Sequence, residues 1–226
     1  MLKTFVPKLE VLSTSQKKLW PELKTVPRHF VLYGGTAVAL RLGHRASVDF
    51  DFFSSEPFVV NELTAVIPFL NNAQPLQAKN NTFTVLVGQD GPVKVSFFGG
   101  LHLGRVGEPE LTHDEIVWVA SLRDLGGTKV AVIQQRAEQK DYLDLAALLR
   151  SGLSLDESLG AARALYPENF NPMISLKALA YFADGDLPKL PENLRKFLSE
   201  EASRVQIIPE LKRFSEAIAA NPGAKK

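Results

Sequence analysis

Residues 31–53 read V-L-Y-G-G-T-A-V-A-L-R-L-G-H-R-A-S-V-D-F-D-F-F, and this stretch decides the fold. Its first three residues are apolar and strand-like, and the two glycines that follow can adopt backbone angles closed to other residues. Apolar residues at helical spacing over 37–42 predict a short helix, with Thr36 as its N-cap and Gly43 at its end. The stretch therefore begins as strand, glycine turn and helix.

The same stretch ends in a second strand that carries two carboxylates. Residues 48–53 alternate with period two, so Asp49 and Asp51 point to one face, roughly 7 Å apart along the chain. Two carboxylates so placed suit hard cations such as magnesium or manganese. A glycine turn at Gly34 and Gly35, leading into a helix N-terminus, can bind phosphate oxygens. The alternative is an edge strand with its polar face in water and an ordinary tight turn.

This stretch resembles the signature of the AbiEii/AbiGii toxin branch of the polymerase-β nucleotidyltransferase superfamily, in which Gly-Gly is followed by Asp-x-Asp. The matching residues are Gly34, Gly35, Thr36, Arg45, Ser47, Asp49, Asp51 and Phe53. The resemblance implies that the nucleotide is bound by Gly34, Gly35, Thr36 and Arg45, and that Mg²⁺ or Mn²⁺ is bound by Asp49 and Asp51. Both aspartates would then be catalytic.

A second group of polar residues interrupts a helical pattern predicted over 138–150. Asp141 and Asp144 share one face of that helix, and the plain interpretation is an exposed flank with a Lys140–Asp144 ion pair. The group also resembles the later family motifs, a lysine in a helix and then Arg/Lys-Asp-x-x-Asp. The resemblance implies that Lys129 holds the triphosphate, that Asp141 lies in the active site and that Asp144 is structural. We expect Lys129 to be exposed, so that its removal hardly changes stability.

The order of the elements predicts an α+β protein. A nucleotidyltransferase-like domain with a mixed sheet and flanking helices is expected over residues 1–120, followed by a helical bundle over 121–226. Turn residues separate the strands of the first half, and prolines mark several helix starts in the second. The predicted strands are 75–79, 82–87, 93–98 and, less regularly, 113–120. The predicted helices are 7–23, 57–70, 138–150, 155–166, 172–183, 191–198 and 209–219, with a frayed tail at 221–226.

Composition excludes several classes of protein. The 226 residues are 45% hydrophobic, enough for a sizeable core, and the formal net charge of +1 gives no overall sign of nucleic-acid binding. There is no cysteine, which excludes disulfides and thiolate metal sites. No apolar run of about eighteen residues occurs, and residues 1–10 lack the layout of a signal peptide. We therefore expect a cytoplasmic protein without a membrane partner.

The leading functional hypothesis is a metal-dependent nucleotidyltransferase of toxin type that uses a nucleoside triphosphate. The resemblance implies an RNA 3′ end, most plausibly of tRNA, as acceptor, and a cognate antitoxin as partner. Two alternatives stay open: transfer of the nucleotide onto a protein hydroxyl, and a degenerate fold that only binds a nucleotide or a partner protein.

The degenerate alternative rests on Ser96. Catalytic members of the superfamily carry a third carboxylate on the strand after Asp-x-Asp, and in the matching strand, 93–98, that place is taken by Ser96. A serine hydroxyl is too weak a base and too weak a ligand to replace a carboxylate. Either Asp141, or a carboxylate contributed by the substrate complex, serves instead, or the enzyme is slow and holds one metal.

Overall fold

A computed structural model describes residues 3–89 and 91–220. Within these residues the fold is α+β, as predicted, with one mixed sheet of order β1-β7-β8-β2-β3-β6-β5-β4. The strands are β1 (Thr4–Phe5), β2 (Val31–Tyr33), β3 (Asp49–Phe53), β4 (Gln74–Lys79), β5 (Thr82–Val87), β6 (Val93–Phe98), β7 (Glu110–Thr112) and β8 (Trp118–Val119). The α-helices are α1 (Thr14–Leu19), α2 (Gly34–Leu42), α3 (Val60–Val66), α4 (Leu122–Val132), α5 (Gln139–Arg150), α6 (Leu155–Leu165), α7 (Pro172–Ala178) and α8 (Glu192–Arg204).

In the middle of the sheet, strand β3 has one apolar face that is buried in the core and one polar face. Strand β3 pairs antiparallel with β2 and parallel with β6, and β5 pairs antiparallel with β6 across the predicted hairpin. Along β3 the alternation buries Phe50 and Phe52, and Phe52 stacks on Phe97 of β6 with ring centroids 5.4 Å apart. Because side chains alternate across a strand, Asp49 and Asp51 must lie on the opposite face.

The helical half contributes to two cores. Helices α4, α5, α6 and α8 bury one cluster that includes Val130, Leu145 and Leu159, whereas Leu125 of α4 joins the larger core under the sheet. Helix α4 approaches α6 closely at Gly127, where an added Cβ would lie 3.0 Å from the Cβ of Ala161. The division into domains near residue 120 stays a prediction.

Helix α2 begins earlier than the sequence predicted. Gly34 is its first residue and Tyr33 its N-cap, so the prediction of Thr36 as N-cap was wrong. Gly34 has φ +73° and Thr36 lies inside the helix with its side chain buried. The predicted end is confirmed, because Gly43 is the C-cap in the left-handed region.

Both predicted terminal helices were also wrong. Residues 7–23 form the 3-10 turns Leu9–Val11 and Trp20–Thr25 around the short α1, which a Ser13 capping box starts. Residues 209–219 form no helix. Their carbonyls instead accept hydrogen bonds from the buried guanidinium of Arg105, which binds Ala217 and Ala219 at 2.5 Å each. The main chain also pairs with Arg105 itself, since the Phe214 N–H donates to the Arg105 carbonyl at 2.7 Å and the Arg105 N–H donates to the Ser215 carbonyl at 2.9 Å. This bridge uses main-chain groups that a helix over 209–219 would need for its own hydrogen bonds.

Other boundaries differ by a few residues. Helix α7 stops five residues before the predicted end at 183, and α8 runs to Arg204 rather than 198. The predicted helix over 57–70 is α3 followed by a 3-10 turn, Pro68–Leu70. The predicted frayed tail lies outside the described residues. None of the helices described within 3–89 and 91–220 has the length and apolar content needed to cross a bilayer.

Candidate active site

One cleft of about 600 Å³ lies where β3 and β6 meet α2, α4 and α5. It brings together residues that are far apart in the sequence. All the predicted site residues line it: Gly34, Gly35, Thr36, Arg45, Asp49, Asp51, Lys129 and Asp141. Lys94, Ser96, Arg136 and Lys140 line it as well.

The glycine turn allows the start of α2 to approach the carboxylates. A Cβ added at Gly34 would lie 2.8 Å from Oδ2 of Asp51, and one at Gly35 would clash with the Arg45 guanidinium. Any side chain would therefore push the helix away from both groups. The turn leaves main-chain N–H groups of the first helical turn beside the cleft, which is the arrangement that favours bound anions.

Thr36 and Ser47 fix the chain as it enters β3. The Thr36 hydroxyl donates to the main-chain oxygen of Asp49 and lies 2.8 Å from the Ser47 hydroxyl. Both side chains are buried. Thr36 therefore orients the strand that carries the carboxylates, a role that its predicted position as N-cap did not suggest.

Asp49 and Asp51 each face a residue of β6. The parallel register sets Asp49 opposite Lys94 and Asp51 opposite Ser96. Lys94 Nζ lies 2.9 Å from Oδ2 of Asp49 in a half-exposed ion pair. Burial raises the pKa of Asp51, an effect that a hydrogen bond from Ser96 partly offsets and that the charge of Asp49 increases. Sequence reasoning missed the Lys94 ion pair, because detecting it requires the register between β3 and β6.

Asp144 is the most heavily paired carboxylate near the cleft. It is fully buried and accepts two hydrogen bonds from Arg45, at 2.6 and 2.9 Å. His44 Nε2 lies 2.7 Å from its Oδ1 and Lys129 Nζ lies 2.5 Å from its Oδ2. Burial alone would raise the pKa of Asp144, but these partners outweigh it and hold the pKa well below its ordinary value.

Asp141 is held in a similar way one helical turn earlier. Its side chain is buried, with Oδ1 2.8 Å from Lys129 Nζ and Oδ2 2.7 Å from Arg136 Nε. Burial opposes ionisation, but the hydrogen bond from Arg136 and the charge of Lys129 prevail, so the pKa of Asp141 is lowered. Asp141 and Asp144 thus share one face, as predicted.

Two details of this group correct the sequence interpretation. Lys129 is only 5% exposed and bridges both aspartates, so the expectation of an exposed lysine was wrong. Lys140 pairs with Glu138 at 2.8 Å, whereas the expected Lys140–Asp144 ion pair does not form. The reason is burial: Asp144 points into the protein, where the loop after α2 supplies His44 and Arg45 and α4 supplies Lys129.

The charge balance differs between the two sides of the cleft. Lys129, Arg136 and Arg45 provide three positive charges around the two carboxylates of α5, which leaves one in excess. On the β3 side, Asp49 forms an ion pair with Lys94, whereas Asp51 forms none among residues 3–89 and 91–220 and feels the charges of Lys94 and Lys129 from a longer distance. The first side favours an anionic group and the second a cation.

The residues present fit a divalent cation that is shared with a substrate. No cluster of three His, Cys, Asp or Glu side chains able to hold a metal occurs among residues 3–89 and 91–220. Asp49 and Asp51 nevertheless offer two hard oxygen ligands beside the helix N-terminus. Magnesium is commonly bound by one or two carboxylates, with water and substrate phosphates completing its coordination.

A family model for the nucleotidyl transferase AbiEii toxin of a type IV toxin-antitoxin system matches residues 23–220. The chain belongs to the AbiEii family. This match confirms the resemblance drawn from the motifs, and it extends beyond residue 150 into helices that carry no motif. All the residues that line the cleft lie within the matched range.

Known proteins are similar to this chain in sequence or in fold. An uncharacterized protein of Aquifex aeolicus is 35% identical over 158 residues, which cover 69% of this chain and 74% of the relative. The solved structure of MenT4, a nucleotidyltransferase toxin from Mycobacterium tuberculosis, is similar in fold. Its TM-score is 0.58 at 14% identity, covering 85% of this chain and 82% of MenT4.

Proposed function

We propose that this AbiEii family member transfers a nucleotide from a nucleoside triphosphate to an RNA 3′ end, most plausibly of tRNA, with Mg²⁺ or Mn²⁺ as cofactor. The observation that carries the proposal is the convergence in one cleft of both predicted constellations. Asp49 and Asp51 come from β3, and Lys129 and Asp141 come from α4 and α5. The transfer of a nucleotidyl group needs positioning and charge neutralisation, which this set can supply.

Each side of the cleft has a distinct part in the proposal. Main-chain N–H groups at Gly34 and Gly35 bind phosphate oxygens, and Lys129 with Arg45 supplies the excess positive charge beside them. Asp49 and Asp51 would hold the divalent cation, which would neutralise phosphate charge. The acceptor hydroxyl would then form its bond to the α-phosphate while the bond to the β-phosphate breaks and pyrophosphate leaves.

Asp141 acts in this proposal by holding cations rather than by accepting a proton. A general base works best when its pKa lies near the operating pH. The pKa of Asp141 is instead lowered by Arg136 and Lys129. With Ser96 opposite Asp51, the chain offers no further carboxylate of its own on that strand face. We therefore favour a slow enzyme with one metal over one in which Asp141 replaces the missing carboxylate.

The test is to incubate the purified protein with total RNA, magnesium and each labelled nucleoside triphosphate in turn. The proposal expects label at the 3′ end of one class of RNA, and none with the Asp51→Asn variant. Label on protein instead would support transfer onto a protein hydroxyl. Absence of label in both the native chain and Ser96→Asp would support the degenerate alternative that only binds.

The toxin family of a toxin-antitoxin system also supports a partner protein. We propose a cognate antitoxin that relieves the effect of this chain on growth in the cytoplasm, where nucleotides and tRNA occur. Expression of the native chain should slow bacterial growth, and the Asp51→Asn variant should not. Equal growth arrest by both would separate toxicity from nucleotide transfer.

A further inference from the structure

A second cavity adjoins the cleft and has a different chemistry. Its volume is about 490 Å³, and it shares two wall residues with the cleft, Phe53 and Tyr166. The loop after β6 and the end of α6 provide the remaining walls, which include Leu101, Leu103 and Leu165. Nothing in the proposed transfer uses this cavity, which we name the side pocket.

The lining of the side pocket suits a flat and mostly apolar group with polar edges. Two aromatic rings and three leucines form its walls, and exposed His102 and Asn169 lie among its lining residues. Aromatic side chains stack on nucleobases, whereas imidazole and amide groups can form hydrogen bonds with base edges. The lining contains no lysine, and Arg213 is its one arginine, so the side pocket offers a phosphate group little positive charge.

The walls of the side pocket are held by contacts of their own. Phe53 stacks on buried Tyr33, with ring centroids 4.8 Å apart and planes at 10°. Arg213 donates to the main-chain oxygens of Ala164 at 2.8 Å and Leu165 at 3.2 Å, so its charge is already engaged at the end of α6. Burial, with the charge of Asp124, raises the pKa of Tyr166 to about 12, and its phenol stays neutral. A preformed pocket binds without a large ordering cost.

We propose that the side pocket binds a nucleobase, and this inference rests on the proposed function because the base would belong to a molecule whose phosphates lie in the adjoining cleft. Two sources share this chemistry. The base is that of the nucleoside triphosphate, or it is the terminal base of the RNA acceptor.

The experiment fills the pocket and compares ligands with and without a base. Leu101 is half-buried at the edge of the core and lines the pocket, so Leu101→Trp can place an indole in the pocket. The matched control is Val66→Trp on the surface of α3, which is 56% exposed and lines neither cavity. Calorimetry then measures binding of inorganic tripolyphosphate, free nucleosides, nucleoside triphosphates and short RNAs that end in a 3′ hydroxyl. Thermal unfolding checks that both variants are folded.

We expect Leu101→Trp to weaken one base-containing ligand by about tenfold or more, with tripolyphosphate affinity unchanged. Loss of nucleoside triphosphate affinity assigns the pocket to the incoming nucleotide, and loss of RNA affinity alone assigns it to the acceptor. If the native chain binds no tripolyphosphate yet binds nucleosides in a way that depends on Leu101, the proposed function fails and the pocket stands. If Leu101→Trp and Val66→Trp bind every base-containing ligand with the same affinity, the proposal that the side pocket binds a nucleobase is wrong.

Discussion

Two pairs of aspartates border the same cleft, and the protein treats them in opposite ways. Asp49 and Asp51, the strand pair, share one face of β3, and in the described part of the chain Lys94 alone forms an ion pair with them. Asp141 and Asp144, the helix pair, share one face of α5 and are fully buried among the cations Lys129, Arg136 and Arg45. The first pair has capacity left for a cation, whereas the second has none.

The difference teaches that spacing alone does not assign a role to an acidic pair. Both pairs were recognised by the same rule, that two carboxylates on one face can act together. Burial and partners decide what they do. A carboxylate surrounded by fixed cations stays ionised and stabilises the protein, while one with too few partners attracts a cation from solution.

The largest effect on activity should come from the strand pair. Asp49→Asn or Asp51→Asn removes a charged ligand for the divalent cation, so transfer should fall on the order of a thousandfold, which corresponds to about 4 kcal/mol. Metal affinity measured by calorimetry should fall too, with little change in the melting temperature. Unchanged magnesium dependence in both variants would show that the strand pair is not the metal site.

The largest effect on stability should come from the helix pair. Asp144→Asn leaves Arg45 and Lys129 without their shared buried counter-charge, and breaking such a network costs about 3–5 kcal/mol. Denaturant unfolding measures this loss. Asp49→Asn is the matched control and should change stability by less than about 1 kcal/mol, because its ion pair with Lys94 is half-exposed. Equal losses of unfolding free energy in the two variants would show that the two pairs do not differ in their contribution to stability.

Lys129→Ala should affect both stability and binding. It removes the bridge between Asp141 and Asp144, so we expect a loss of about 2–3 kcal/mol in unfolding free energy together with weaker triphosphate binding. Lys140→Ala is the control, since its ammonium forms a half-exposed ion pair with Glu138, and its loss should change stability by less than about 0.5 kcal/mol. Native stability in Lys129→Ala would restore the interpretation of an exposed phosphate-binding lysine.

Lowering the pH should change the stability of the protein in opposite directions through Asp144 and Asp51. The lowered pKa of Asp144 means that its contribution to stability is present above about pH 4 and is lost as the pH falls through the folded pKa. Asp51 has a raised pKa, so the folded state takes up its proton first and gains stability as the pH falls. Asp144→Asn should therefore flatten the loss of stability in acid, and Asp51→Asn should steepen it. Unfolding curves between pH 3 and pH 7 test both slopes.

The smallest effect should come from Ser96. Ser96→Asp places a carboxylate opposite Asp51, where a second cation could be bound, and we expect a rise in transfer rate of up to about tenfold. Steady-state rates at saturating magnesium measure it, with Thr84→Asp on β5, another residue that lines the cleft, as the control for added negative charge. An equal rise in both variants would attribute the gain to charge rather than to position.

Much of the site could be read from the sequence because it depends on local periodicity. The alternation over residues 48–53 predicts the shared face of the strand pair, and helical spacing predicts that of the helix pair. The strands 82–87 and 93–98 were confirmed with the hairpin between them. The helix predicted over 209–219 failed because the main chain of Arg105, more than a hundred residues earlier, pairs with that of Phe214 and Ser215.

The sequence by itself determined the α+β class, the family and the two motifs that meet in the cleft, since motif spacing and periodicity are properties of short segments. Tertiary structure decided which carboxylates are satisfied. The register that sets Lys94 beside Asp49, and the packing of α5 that buries Asp144 against Arg45, join segments that are distant along the chain. Electrostatic energies depend on distance and burial, and neither quantity exists before the chain has folded.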